Sequence, residues 1–201
     1  MDHTDHVGLL RAGVDAPGGL WADIGSGDGA FTLALADLLG PGARIVSVDR
    51  DAGALRRQAG AMAARFHDVD LETRVADFTE PLDLPVLDGL VMANSLHYVP
   101  AKEPVVRALA AAVRPGGRFV LVEYDADRGN PWVPFPVSFT TWERLAETSG
   151  LADTKLLGRV PSRFLGAIYS AAKSRQGRRG ATASRVMPML SSGSEGCLPL
   201  E

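Results

Sequence analysis

One stretch constrains this chain more than any other: Leu20-Trp21-Ala22-Asp23-Ile24-Gly25-Ser26-Gly27-Asp28-Gly29-Ala30-Phe31, an apolar run closed by an acid, three alternate glycines and a second apolar run. Glycines let the main chain turn sharply and approach a ligand closely. The first run reads as a strand and the second opens a helix, whose free N–H groups point at whatever the turn holds. Such a unit predicts a βαβ arrangement with a nucleotide-type ligand at the carboxyl end of the strand.

The rest of the chain agrees with that unit. Short Val/Ile/Leu-rich runs alternate with stretches of helical period, as in a parallel sheet covered on both faces. Strands are expected at Leu20 to Ile24, Arg44 to Val48, Glu72 to Ala76, Leu87 to Ala93, Arg118 to Glu123, Thr154 to Val160 and Phe164 to Ala171. Phe31, Leu35, Leu38 and Leu39 share one helix face, as do Leu55, Ala59, Met62 and Phe66, and again Val106, Leu109, Ala110 and Val113. Thr140-Thr141-Trp142-Glu143 has capping-box spacing and starts a further helix. Only Pro161-Ser162-Arg163 joins the last two strands, too short a link for a parallel crossover, so they form an antiparallel hairpin. The fold class is α/β: a Rossmann-like, seven-stranded, mostly parallel sheet with helices on both faces and a C-terminal antiparallel hairpin.

With 201 residues, 46% of them hydrophobic, there is core enough for one domain. That domain is expected over residues 1–174, because the segment 175–201 is rich in Gly, Ser, Arg and Pro without an apolar period and reads as a disordered tail. The net charge of −3, with a basic tail, makes the domain acidic and argues against a nucleic-acid partner. No run approaches the roughly 18 apolar residues of a membrane span, and the start MDHTDHVG is no signal peptide, so a soluble cytoplasmic protein without a membrane partner is expected. The single cysteine, Cys197, rules out an intrachain disulfide and a cysteine-based zinc cluster.

Read as G-x-G-x-x-A through Ala30, the turn also satisfies a dinucleotide-binding pattern. Asp23 and Asp28 weigh against a pyrophosphate there, since each like-charge pair at 4 Å costs about 1 to 4 kcal/mol at surface-like dielectric. They suit S-adenosylmethionine, which has an ammonium and a sulfonium and no phosphate. Here the sequence resembles the class I S-adenosylmethionine-dependent methyltransferases, whose first motif is an acid followed by G-x-G-x-G. Asp23-Ile24-Gly25-Ser26-Gly27-Asp28-Gly29 matches it letter for letter, and the likeness extends over residues 1–173. The resemblance implies seven strands with a reversed last one, Asp23 near the methionine moiety, and the turn Gly25, Ser26 and Gly27 packed on the cofactor.

Further positions extend the expected site. Val48-Asp49-Arg50 closes the second strand, and Asp49 lies twenty residues past Gly29, where a carboxylate accepts ribose hydroxyls of either cofactor; Asp51 is the better helix cap. Val75-Ala76-Asp77-Phe78 resembles the family's adenine segment, with Asp77 accepting from the exocyclic amine and Phe78 against the ring. The fourth strand ends in Asn94-Ser95-Leu96-His97-Tyr98, beyond a strand end where sites are lined. This departs from the Asn/Asp-Pro-Pro-Tyr/Phe motif of enzymes that methylate exocyclic amines or glutamine amides, which favours a small-molecule acceptor. His97 is a candidate general base, or simply a packed histidine; no carboxylate in its own loop orients it. The loop from Glu123 to Pro136 brings Trp132 and Phe135 beside Arg128 and Asn130, suited to a partly apolar acceptor with a polar handle. His6 to Val14 is expected to form a helix over the cofactor mouth, with His3 and His6 lacking partners for a metal.

The reading is a methyltransferase that uses S-adenosylmethionine on a small molecule. Two rivals stand beside it: a nicotinamide-dependent oxidoreductase, whose Tyr-x-x-x-Lys dyad Tyr98 and Lys102 could imitate were Pro100 not between them, and a non-catalytic cofactor-binding protein.

Overall fold

A computed structural model describes residues 1–175. Of the tail expected over 175–201, residues 176–201, with Cys197, lie outside the described residues. A seven-stranded sheet runs in the order β3-β2-β1-β4-β5-β7-β6. Its strands are β1 (Leu20–Ile24), β2 (Arg44–Asp49), β3 (Asp70–Val75), β4 (Leu87–Ala93), β5 (Val113–Tyr124), β6 (Leu151–Pro161) and β7 (Ala167–Arg175). The first five are parallel, and β7 is antiparallel to both β5 and β6, which reproduces the expected fold class. Helices α1 (His3–Arg11), α2 (Ala30–Leu39), α3 (Ala52–Arg65), α4 (Lys102–Ala112) and α5 (Phe139–Thr148) cover the two faces.

Each face of the sheet buries its own core. On one side Ile24, Val48, Leu90, Met92, Phe119 and Leu121 pack against Val106 and Leu109 of α4 and Trp142 of α5. On the other, Trp21, Ile45, Val91, Val120 and Val122 meet Phe31 and Leu35 of α2 and Val7 and Leu10 of α1. Side chains of full Leu, Ile or Phe size each contribute about 1.5 to 3 kcal/mol when removed from water, so these faces fix which way every strand is turned.

Several boundaries differ from the sequence reading for local physical reasons. The helix of Trp142 is capped by Ser138, which accepts from the Thr141 N–H, rather than by Thr140. Helix α1 starts at His3 because Asp2 and Asp5 form a reciprocal capping box, which accounts for both acids. Strand β5 begins at Val113, not Arg118, and β6 at Leu151, not Thr154. The hairpin turn takes 162–166, closed by a hydrogen bond from the Ser162 N–H to the Gly166 carbonyl, so β7 starts at Ala167, not Phe164. Arg175 is a strand residue paired with Leu151, and its guanidinium donates to the Val113 carbonyl, so the ordered domain includes it. No helix among the described residues is long and apolar enough to cross a membrane.

Gly89 of β4 faces Trp21 of β1 across the ladder, and a Cβ there would sit 2.4 Å from the indole ring. Both groups are held in the sheet interior, so neither can withdraw. Gly89→Ala should therefore destabilise by about 1 to 3 kcal/mol and lower Tm by several degrees in a thermal melt; an unchanged Tm would mean the indole can move.

Candidate functional site

The carboxyl ends of the parallel strands enclose a cavity of about 380 Å³ between the β1 and β2 turns, the segment after β3 and the segment after β4. Gly25, Gly27, Asp49, Arg50, Asp77, Phe78 and Asn94 all line it, joined by Ala76, Thr79, Ser95, Tyr98 and Val99. Seven of the expected site residues thus line one cavity, and Asp23, Ser26 and His97 are not among its lining residues.

The glycine turn is held from two sides. Gly25 has φ +71°, and a Cβ there would lie 2.5 Å from that of Ser95, so only glycine lets the β1 and β4 ends meet. Ser95 Oγ donates to the Ile24 carbonyl (2.9 Å) and closes that seam. Across the turn, Asp49 Oδ2 accepts from the Gly27 N–H (2.8 Å) and Oδ1 from the Asp51 N–H (2.8 Å). Asp51 caps α3 as expected, accepting from the Gly53 and Ala54 N–H groups.

Beneath the turn runs a buried polar chain that the sequence reading did not foresee. Thr32 Oγ1 donates to Asp23 Oδ2 (2.5 Å) and accepts from Gln58 Nε2; Ser47 Oγ donates to Gln58 Oε1 (2.7 Å) and lies 2.7 Å from Ser26 Oγ. Because the one Ser47 proton goes to Gln58, Ser26 must be the donor to Ser47. Every donor then points toward Asp23, which is fully buried. Burial pushes its carboxyl up to about 7, with the nearby Asp49 charge adding and the Thr32 hydrogen bond opposing. Gln58 could have been noticed as a polar residue on the apolar side of α3.

These positions revise the electrostatic argument made from the sequence. Asp28 is turned outward to an ion pair with Arg57 (2.6 Å) and Asp23 is interior, so the carboxylates on the cavity wall are Asp49 and Asp77. Thr79, through its hydroxyl and its N–H, holds the Asp77 carboxyl below its ordinary pKa and engages only Oδ1. Asn94 adopts φ +50°, a left-handed conformation that asparagine tolerates best after glycine, and its Oδ1 is buried without a partner among the described residues.

His97 is buried in a short 3₁₀ turn (Leu96–Tyr98), its Nδ1 2.9 and 3.0 Å from the two oxygens of Glu123 at the end of β5. The same carboxylate accepts from the His97 and Tyr124 N–H groups. The orienting acid absent from His97's own loop is therefore supplied by the neighbouring strand. Tyr98, exposed on the cavity wall, lies against the imidazole with centroids 4.3 Å apart. Lys102 donates to the Val99 carbonyl and faces the Phe135 ring, an arrangement that makes no Tyr-x-x-x-Lys dyad. In the long loop, Asn130 is largely engaged by the chain itself, donating to the Phe164 carbonyl and accepting from the Trp132 and Val133 N–H groups, which leaves one amide N–H for an acceptor. Helix α1 packs on α2, His6 against Phe31 at 4.7 Å, and lines none of the cavity. His3 pairs with Asp37, and no group of three or more His, Cys, Asp or Glu that could hold a metal occurs among the described residues.

A glycine turn under a parallel sheet, an acid closing β2 and a cavity at the strand ends define a nucleoside-binding Rossmann-like class. Residues 22–119 match the family model described as a methyltransferase domain. Match and fold together agree with the resemblance to the class I methyltransferases. The YcgJ protein of Bacillus subtilis superposes with a TM-score of 0.68 at 15% identity, over 87% of this chain and all of that one. SibL, an S-adenosylmethionine-dependent methyltransferase, gives 0.64 at 22% identity over 87% of this chain, which spans 55% of SibL. The 1,6-didemethyltoxoflavin-N1-methyltransferase of Burkholderia thailandensis, solved with its acceptor and S-adenosylhomocysteine, gives 0.66 at 19%, over 87% of this chain and 79% of that one. At such identities the likeness is one of fold. Comparison with curated proteins finds no match.

The Asp23 carboxyl has a measurable signature. Its folded pKa, about 7, lies above the unfolded value of 3.8, so between these pH values the native state keeps a proton that the unfolded chain has lost. Stability then falls as pH rises through that window and levels off above it, by a few kcal/mol in all at about 1.4 kcal/mol per pKa unit. Asp23→Asn keeps an acceptor for Thr32 and removes the titration. Urea melts at pH 5 and pH 8 should show the wild type losing more stability than the variant; equal losses would contradict the buried, proton-holding carboxyl.

Proposed function

We propose that this protein transfers the methyl group of S-adenosylmethionine to a small-molecule acceptor. The observation that carries the reading is the cavity wall, where groups of fitting chemistry stand together with unused capacity. A carboxylate offers about four lone-pair sites. Asp49 spends one on each oxygen to hold the turn, which leaves one on each for ribose hydroxyls. Asp77 keeps Oδ2 for an exocyclic amine, beside the Phe78 ring for the base. Asn94 lines the same wall, and its Oδ1, buried without a partner among the described residues, is left to accept from a donor such as the ammonium of the methionine moiety if the side chain turns to it. Asp23 and Ser26 act from behind, through the hydrogen-bonded chain that fixes the turn.

When bound, the cofactor supplies a methyl group on a sulfonium, open to in-line attack. The protein's part is to hold an acceptor in line and keep water away, which by itself supplies a large share of the acceleration. Tyr98 and Val99 line the cavity, and the loop after β5 is tied next to them by the Phe135 N–H, which donates to the His97 carbonyl. No further substrate domain is present among the described residues, so the acceptor is met by that loop and the β6–β7 turn.

Calorimetry with S-adenosylmethionine, S-adenosylhomocysteine and NADH tests the reading. The first two should bind and the third should not. Asp49→Ala should weaken both adenosyl ligands alike, about tenfold or more, since ribose hydroxyls are common to them. Tight NADH binding without the sulfonium cofactor, or an Asp49→Ala loss confined to one adenosyl ligand, would overturn the assignment.

A further inference from the structure

Four large aromatic side chains are exposed in the described chain: Tyr98 (59%), Trp132 (70%), Phe135 (45%) and Phe164 (64%). All the others are buried or half-buried. These four come from three segments that meet at one place. The Phe135 N–H donates to the His97 carbonyl (2.9 Å), which ties the loop after β5 to the turn after β4. Asn130 Nδ2 donates to the Phe164 carbonyl (3.0 Å), which ties the same loop to the β6–β7 hairpin. Since β7 is antiparallel to β5, that hairpin lies at the end of the sheet where the cofactor cavity opens, and Tyr98 belongs both to the rim and to the cavity wall. Solvent-facing aromatics gathered on one rim and continuous with a cavity suit a flat apolar ligand.

Under this rim sits the His97–Glu123 pair. Glu123 is fully buried, and it accepts from the His97 main-chain N–H as well as facing Nδ1, so the ring cannot swing away. A carboxylate on Nδ1 selects the tautomer with the proton there and leaves the lone pair on Nε2, which has no partner among the described residues. The second phenol against this ring, Tyr124, is no rival base, since burial and then the Glu123 charge raise its pKa above the ordinary value and keep it protonated.

Resting on the methyltransferase reading, we infer that the acceptor is a hydroxylated aromatic molecule, stacked on the rim of Tyr98, Trp132, Phe135 and Phe164 and deprotonated by His97. Glu123 is a positioning residue that acts through the imidazole. The hydroxyl proton passes to Nε2, the oxygen's electron pair forms the bond to the methyl carbon, and the carbon–sulfur pair returns to sulfur, which leaves as the neutral thioether S-adenosylhomocysteine. The imidazolium, its charge compensated by Glu123, returns its proton to solvent.

Binding is tested apart from turnover. Trp21 and Trp142 are buried and Trp132 is exposed, so quenching by 2-naphthol or 8-hydroxyquinoline in the presence of S-adenosylhomocysteine should be saturable and should vanish in Trp132→Phe. With labelled S-adenosylmethionine, the methyl should reach the oxygen of at least one of these compounds, and neither 2-naphthylamine nor cyclohexylmethanol. His97→Ala and Glu123→Gln should each lower the rate with that acceptor about a hundredfold at neutral pH. The deficit should shrink at least about tenfold with 2,4-dinitro-1-naphthol, which is ionised without help; cofactor affinity by calorimetry controls for folding. Absence of saturable quenching by both hydroxyaromatics, transfer to the amine or the aliphatic alcohol alone, or a deficit equal for both kinds of acceptor would overturn the inference. Failure of the adenosyl ligands to bind would instead overturn the cofactor reading beneath it.

Discussion

The hydrogen-bonded chain from Ser26 through Ser47, Gln58 and Thr32 to Asp23 is the constraint on which the rest of the site depends. It links β1, the glycine turn, α2, β2 and α3 within one sealed space. In a medium of low dielectric such bonds are strong and an unpaired member is costly, so the chain is stable only complete. Its direction is set by its members: an amide with one donor end and one acceptor end stands between two hydroxyls, and a carboxyl terminates the run. The turn above cannot shift without breaking several bonds together, and the Asp49 contact to Gly27 then fixes the last degree of freedom on the ligand side. The cofactor cavity is thus shaped before anything enters it.

Much of this arrangement was legible in the sequence, because the signals were local. The acid and three glycines announce a strand, a turn and a helix; Asp49 and Asn94 follow from strand ends, and Asp77 from the resemblance to the family's adenine segment. The positions that escaped are those set by partners far along the chain. Asp23 has the motif's letter, but its role as terminus of a buried chain needs Thr32 and Gln58, which belong to two different helices. His97 seemed unoriented because its carboxylate is 26 residues away on an adjacent strand. Asn130, polar and in a functional-looking loop, is largely spent on closing that loop, which composition cannot reveal. Boundaries moved for a similar reason: Ser138 outcompetes Thr140 as a cap because Asp127 and Asp125 fasten the main chain at Ser138 and Phe139.

The two ends of the sheet serve different purposes. At the amino end, Arg118 pairs with Asp15 and Arg114 with Asp88, and Asp88 also accepts from the Leu20 N–H, so charges there are neutralised locally and the strands are tied off. At the carboxyl end, polar groups are left with spare capacity and aromatic faces are left uncovered. Of the two non-glycine residues held at positive φ among the described residues, Asn94 and Asp153, the first lies on the cavity wall.

The reversal of β7 has an evolutionary consequence. A parallel strand in that place would have required a crossover of a dozen or more residues, covering part of the sheet and committing the chain to another helix. A hairpin needs only 162–166, a turn that hangs beside the loop after β5 and shares no residue with the cofactor wall. Insertions and deletions there would change neither strand register nor nucleoside contacts. On the proposed reading, the fold therefore carries an element for tuning substrate choice that can drift and lengthen while the cofactor wall is left alone.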